Sequence, residues 1–179
     1  GGRPVEGNGA LMRTVYPGLY CKTKGAAEMQ ARAFAEMTHR GDKSTEACVL
    51  YTRMVYLLTE SVGNFQDGDV ADFLHECLKG TFYDGSVEAA ATYAAGGYVV
   101  DSMSTAVSCL AHAQTFEEAV CAAANLGGDT DTNAAITGGL AGAWFGFSAI
   151  PARWVDALAP GLRQDLDILA AAAESHRNK

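Results

Sequence analysis

Between Gly18 and Ile150 the chain contains no proline. The same stretch is rich in alanine and punctuated by glycine, and apolar/polar alternation is almost absent from it; Tyr98-Val99-Val100 is the one short β-like run. Sequence of this kind favours helices, and the missing period of two argues against a sheet. We therefore expect an all-α chain, a globular multi-helix array rather than a simple bundle. At 179 residues it fits a single domain, 1–179, and neither a repeat nor a linker divides it.

Helical periodicity and turn signals predict the elements. One helix covers about 26–39, with Ala27, Ala31, Phe34 and Thr38 near one face, and stops at Gly41. A second runs over about 44–62 with Ser44 as its cap, and a third over about 69–79 from Asp69 to Gly80. A short one follows Ser86 and ends at Gly96-Gly97; the next, about 102–113, opens at Asp101. Thr115-Phe116-Glu117-Glu118 reads as a capping box, because Glu118 stands three residues after Thr115. Further helices follow the turn at Asp129, begin at Pro151 and extend from Gly161 to about Ser175.

Thirteen Lys and Arg stand against 21 Asp and Glu, a net charge of −8. A surface this acidic repels phosphate backbones and anionic lipid, and no basic patch offsets it, so neither nucleic-acid nor membrane-surface binding is expected. The five cysteines are odd in number, widely spaced and without a C-x-x-C pair. They suit buried, reduced thiols in a cytoplasmic protein better than a disulfide framework or a zinc site. No basic-then-apolar leader opens the chain, and Gly1-Gly2-Arg3-Pro4 lacks an initiator Met, as a trimmed or excised chain would.

The sharpest local feature is Asn125-Leu126-Gly127-Gly128-Asp129-Thr130-Asp131-Thr132-Asn133. Two carboxylates two residues apart, with a hydroxyl adjacent, sit between a helix end and a helix start. Asp129, Asp131 and Thr132 can converge there as an all-oxygen set suited to Mg²⁺ or Ca²⁺ and poorly suited to zinc. The plainer alternative is that Asp129 or Asp131 merely caps the following helix. An EF-hand is excluded, since its sixth position would be Ala134 and its twelfth Leu140. Downstream, Gly138, Gly142 and Gly146 recur every four residues in an apolar run. That run is at the short limit for a membrane span and has no basic flank, so a tightly packed soluble helix is the better account.

Taken together, Gly127-Gly128-Asp129-Thr130-Asp131-Thr132, Ala134-Ala135-Ile136-Thr137-Gly138 and Ile150-Pro151 with Trp154 resemble the C-terminal signature of the ADP-ribosylglycohydrolases. Gly7-Asn8-Gly9-Ala10-Leu11-Met12-Arg13 is similar to that family's N-G-x-x-M-R loop, Thr38-His39 to its T-H pair, and Gly97-Tyr98-Val99-Val100-Asp101 to its G-Y-V-x-D segment. The segments come in the family's order and span about residues 6–160. The resemblance implies a binuclear Mg²⁺ centre that hydrolyses the glycosidic bond of an ADP-ribosylated group. By it, Asp129, Asp131 and Thr132 match metal ligands, the two aspartates being the catalytic candidates. It also makes Asn8, Gly9 and Gly128 substrate-binding positions, the loop at Asn8 and Gly9 holding the diphosphate through backbone N–H groups. His39 and Tyr98 match positions lining the adenosine side; read alone, they would be a helix-end histidine and a core side chain.

Members of the family are longer and begin with a segment, absent here, that supplies the remaining metal ligands. The nearest second acidic cluster, Asp67-Gly68-Asp69, lacks the family's motif. The chain thus resembles the C-terminal part of a split, cleaved or truncated enzyme, expected to need a complementing N-terminal segment or second chain. The alternative reading is a catalytically inactive ADP-ribose-binding module or regulatory subunit.

Overall fold

A computed structural model describes residues 6–60, 70–89 and 96–177. After a 3-10 turn at Leu11–Arg13 come helices α1 (Val15–Tyr20), α2 (Lys24–Glu36), α3 (Asp42–Glu60), α4 (Val70–Leu78), α5 (Val99–Ala111), α6 (Phe116–Asn125) and α7 (Thr130–Phe145). A second 3-10 turn, Phe147–Ala149, leads to α8 (Ala152–Asp156) and α9 (Pro160–Arg177). Among the described residues there is no strand, only an isolated antiparallel bridge between Gly7 and Tyr98. The chain is all-α, as its proline and alanine pattern implies.

Caps account for several boundaries. The Thr115 hydroxyl accepts from the Glu118 N–H at 3.1 Å, and the Glu118 carboxylate reaches back to the Gln114 N–H at 2.8 Å, one residue before the position a capping box would use. Thr23 caps α2 through the Ala26 N–H. Two expected caps fail. Ser44 lies buried in the first turn of α3, and Asp101 lies in the first turn of α5, which begins right after Tyr98. Of the expected helix between Ser86 and Gly96, residues 86–88 form turns and 90–95 lie outside the described residues, as does Asp67-Gly68-Asp69. Pro17 sits in the first turn of α1, where its missing N–H has no partner to lose.

The core forms where α3, α5 and α7 meet, around Tyr51, Met54, Met103, Leu110, Ile136 and Leu140. Each buried Met, Leu or Ile contributes about 1.5–3 kcal/mol against leaving it in water. The cysteines are free thiols; burial pushes those of Cys48 and Cys109 up to about 11, so they act as small apolar groups. No helix among the described residues is long and apolar enough to cross a membrane. Helix α9 stands apart. None of its residues is buried, and Leu162, Leu166 and Leu169 are about half exposed. It is held at its last turn, where Arg177 donates to the Gly18 and Leu19 carbonyls and the His176 ring stacks on Tyr20 at 4.1 Å.

The glycine stripe of α7 is not what brings its neighbours close. A β-carbon at Gly138 or Gly142 would meet ordinary contacts at 3.6 and 3.9 Å, and Gly146, at φ 79°, ends the helix. The close approach is at Gly139, where a β-carbon would lie 2.1 Å from the Tyr51 hydroxyl. That hydroxyl donates to the Ile136 carbonyl at 2.8 Å and ties α3 to α7. Gly139→Ala should therefore cost about 1–3 kcal/mol in urea unfolding although alanine is the better helix former. Gly138→Ala should be neutral or stabilising by up to about 1 kcal/mol. Adding Tyr51→Phe to Gly139→Ala should recover part of the loss; if the two glycines respond alike, this account of α7 packing is wrong.

Candidate active site

The 3-10 turn at Leu11–Arg13, the start of α5 and the start of α7 converge on one corner of the molecule. Their meeting is fixed first by backbone. The Asn8 N–H donates to the Gly97 carbonyl and the Val99 N–H to the Glu6 carbonyl, each at 2.9 Å, forming the bridge between Gly7 and Tyr98. This occupies the Asn8 N–H, so it is not available to a diphosphate as the resemblance implied. The Met12 and Arg13 N–H groups of the following 3-10 turn are likewise taken, by the Asn8 and Ala10 carbonyls at 3.1 and 3.3 Å.

The Asn8 side chain does something the sequence did not reveal. It is buried, and its Nδ2 donates both to Ser102 Oγ at 2.9 Å and to Asp129 Oδ2 at 2.7 Å. Gly97 lines the same contact: a β-carbon there would stand 3.7 Å from Asp129 Oδ2. Asp129 occupies the N-cap position of α7 but makes no capping bond to the helix. Its carboxyl is held below the usual carboxylate range, chiefly by the Asn8 amide, with smaller contributions from the neighbouring Thr132 and Asp131 side chains. The plain capping alternative fails for Asp129. Gly127 and Gly128, at φ 82° and 75°, make the sharp turn that points this carboxylate toward Asn8 instead of down the helix. Asp131 is exposed in the first turn of α7, where the helix N-terminus favours negative charge.

His39 joins the corner from the other side. Its ring lies on the glycine loop, so that β-carbons at Gly7 and Gly9 would come within 3.2 and 3.3 Å of it. Two sequence motifs meet behind it. Arg13 donates to the Phe34 carbonyl at 3.0 Å and to the Thr38 hydroxyl, and that hydroxyl lies 2.8 Å from His39 Nδ1. Tyr98 is 38% exposed, not a core side chain, and its hydroxyl accepts from Lys43 Nζ at 2.9 Å. That bond raises the Lys43 pKa and keeps its ammonium protonated. Neither Lys43 nor Ser102 carries a sequence signal; each is placed by a helix start that packing, not local pattern, sets.

Asp129, Asp131 and Thr132 thus stand together, an oxygen-only donor set that fits a hard divalent cation. Among the described residues no group of three or more His, Cys, Asp or Glu side chains is placed to hold a metal. Two carboxylates and a hydroxyl are less than the six or more oxygens such a cation takes.

Comparison with known proteins decides the family. The family model described as ADP-ribosylglycohydrolase matches residues 1–179. The chain belongs to the ADP-ribosylglycohydrolase family. It is 31% identical over 176 residues to the ADP-ribosyl-[dinitrogen reductase] glycohydrolase of Rhodospirillum rubrum, covering 93% of this chain and 57% of that protein. It is 26% identical over 164 residues to the ADP-ribosylarginine hydrolase Tri1 of Pseudomonas putida (strain GB-1), covering 87% of this chain and 43% of that one. A solved structure titled an ADP-ribosylglycohydrolase-related protein complex superposes with a TM-score of 0.81 at 30% identity, covering 96% of this chain and 61% of the other. The chain therefore spans less than two thirds of these family members.

Because Asn8 is the main cause of the low Asp129 pKa, Asn8→Ala should raise it in the metal-free chain, read by NMR titration of the carboxyl carbon. A lowered native pKa stabilises the fold above the unfolded value near 3.8 and loses that contribution as pH falls through the native value. Acid unfolding of Asn8→Ala should thus show a smaller Asp129-dependent component. An unchanged titration would remove Asn8 from this role.

Proposed function

We propose that this chain carries the C-terminal metal ligands and the nucleotide-side wall of a hydrolase that releases ADP-ribose from a modified protein side chain or related conjugate. The observation that carries the reading is the Asn8–Asp129 bond, which unites the glycine loop with the acidic turn and aims a carboxylate away from its own helix. Asp129, Asp131 and Thr132 would hold Mg²⁺, one of two ions in the complete site. When bound, that ion supplies Lewis-acid polarisation and an activated water for attack at the anomeric carbon.

The chain's own residues do the rest. Asn8 fixes Asp129 as an ionised ligand, so the carboxylate needs no reorganisation when the cation arrives. The glycines at positions 7 and 9 let the loop backbone come close to the His39 ring and to a bound group beside it. His39 and Tyr98 wall the opposite side and orient the nucleotide. Cleaving a glycosidic bond also needs a proton acceptor for water, and an ordinary glycosidase uses a second carboxylate there. With two acidic donors at the corner among the described residues, the remaining ligands would come from a complementing N-terminal segment or second chain. Reduced cysteines suit a cytoplasmic setting.

The isolated chain should bind Mg²⁺ weakly and turn over little or no ADP-ribosylated substrate. Adding the complementing segment in trans should restore release of ADP-ribose, followed by chromatography of the free nucleotide. Asp129→Ala or Asp131→Ala should abolish that release and the metal-dependent part of ADP-ribose binding. Asn8→Ala should weaken metal-dependent binding about 10- to 100-fold. Full activity of the lone chain would overturn the half-site reading. ADP-ribose binding without reconstituted turnover would favour the alternative, a non-catalytic ADP-ribose-binding module or regulatory subunit.

A further inference from the structure

Helix α9 plays no part in the corner, and its own packing is incomplete. None of its 18 residues is buried, although helices in proteins draw most of their stability from packing an apolar face. Its apolar residues are not scattered. Leu162, Leu166 and Leu169 recur at intervals of four and three, and Ala173 extends the row, while Arg163, Asp167 and Glu174 lie on the opposite face. The row runs on into the anchor, since His176 stands seven residues beyond Leu169 and Arg177 eleven beyond Leu166. His176 stacks on Tyr20, and Arg177 donates to the Gly18 and Leu19 carbonyls, the Thr59 hydroxyl and Glu60. At the other end an exposed ion pair of Arg163 with Asp156, at 3.6 Å, adds little. The apolar row is therefore turned to the side on which the anchor meets α1, yet its leucines are about half exposed.

The uncovered apolar surface extends onto α1. Tyr16 and Leu19, three residues apart and so on one face, are 40% and 37% exposed. The Tyr16 ring stacks on Tyr20 at 5.1 Å, and through Tyr20 and His176 it joins the row on α9. The solved relative that superposes on nearly the whole chain holds a counterpart of most of α9, because the share it leaves out is shorter than 18 residues. More than a third of that relative's own length has no counterpart here. Extra chain of that size is what a bare helix face of this kind calls for. A second copy suits the surface less well, because it would bring together two bodies of net charge −8, with Asp165 at the edge of the row.

We infer that the apolar row of α9, together with Tyr16 and Leu19 of α1, is the seat of the complementing N-terminal segment, which packs on it through an apolar helix face of its own. This rests on the half-site reading and adds the place where the second part binds. The seat shares no residue with the acidic corner, so docking and metal binding can be separated by substitution. Helix α1 follows directly on the 3-10 turn of the glycine loop, so one short run of backbone sets a segment seated there relative to Asn8.

Co-expression of this chain with the N-terminal segment of the Rhodospirillum rubrum relative, followed by sedimentation and hydrogen exchange, tests it. The wild type should form a complex in which the α9 amides exchange about tenfold or more slowly than in the chain alone. Leu166→Gln with Leu169→Gln, which keeps good helix formers, should weaken association about 100-fold. The same variant should leave thermal unfolding and Mg²⁺ binding of the lone chain unchanged, because neither leucine is buried in it. Asp167→Asn with Glu174→Gln, on the opposite face, should associate like the wild type. Equal association of the leucine variant and the wild type, or α9 exchange unaltered in the complex, overturns the seat. So does a lone chain that dimerises and is made monomeric by the leucine variant, since the occupant is then a second copy. A complex that needs the leucines but releases no ADP-ribose leaves the seat standing and removes the half-site reading. A wild type that takes up no segment overturns both.

Discussion

One hydroxyl seats the helix on which the rest is arranged. Tyr51, fully enclosed, sends its oxygen across to the backbone of α7, and it can do so only because residue 139 has no side chain. A buried hydroxyl left without a partner costs roughly 1–3 kcal/mol, so the contact discriminates strongly between one placement of α7 and any other. A helix shifted by one residue along α3 would put a β-carbon into the phenol. With α7 fixed in depth and rotation, its first turn can emerge only where Asp129 faces Asn8 and Gly97. Packing in the middle of the molecule therefore controls polar geometry at its end.

The site follows a consistent electrostatic logic. An acidic protein presents two more carboxylates at one corner and surrounds them with neutral donors, the Asn8 amide and the Thr132 hydroxyl, that favour the ionised form. Such a corner repels anions unless a cation neutralises it. Positive charge is kept to the margins. Arg13 is spent on a carbonyl and on the Thr38 hydroxyl behind His39, and Lys43 stands beside Tyr98.

Much of this was legible in the sequence, and the misses have physical causes. The absence of proline and of alternation fixed the class, and Thr115 with Glu118 marked a helix start because capping is local chemistry. The Gly127–Thr132 run stood out for the same reason: two turn glycines and two spaced carboxylates form within six residues. Ser44 and Asp101 misled as caps, because Tyr98 is held by pairing with Gly7 and α3 begins two residues before Ser44. The glycine stripe misled as well, since a period of four reports a face and not which residue on the helix meets the tyrosine. For Asn8 the sequence pointed to the backbone, whereas its side chain holds Asp129 and its N–H is taken by the Gly97 carbonyl. Nothing in the local pattern around Lys43 signals its bond to the Tyr98 hydroxyl.

The bond between Asn8 and Asp129 joins residues 121 positions apart. Contacts so distant along a chain form after local ones, because the loop between them must first be closed. During synthesis, α2 and α3 can pair as soon as both have left the ribosome, whereas the Asn8 amide can meet Ser102 only once α5 is made and Asp129 only once the start of α7 follows. The acidic corner is therefore among the last parts of this protein to form, and a nascent chain halted before residue 132 would lack both it and the share of the core that α7 supplies.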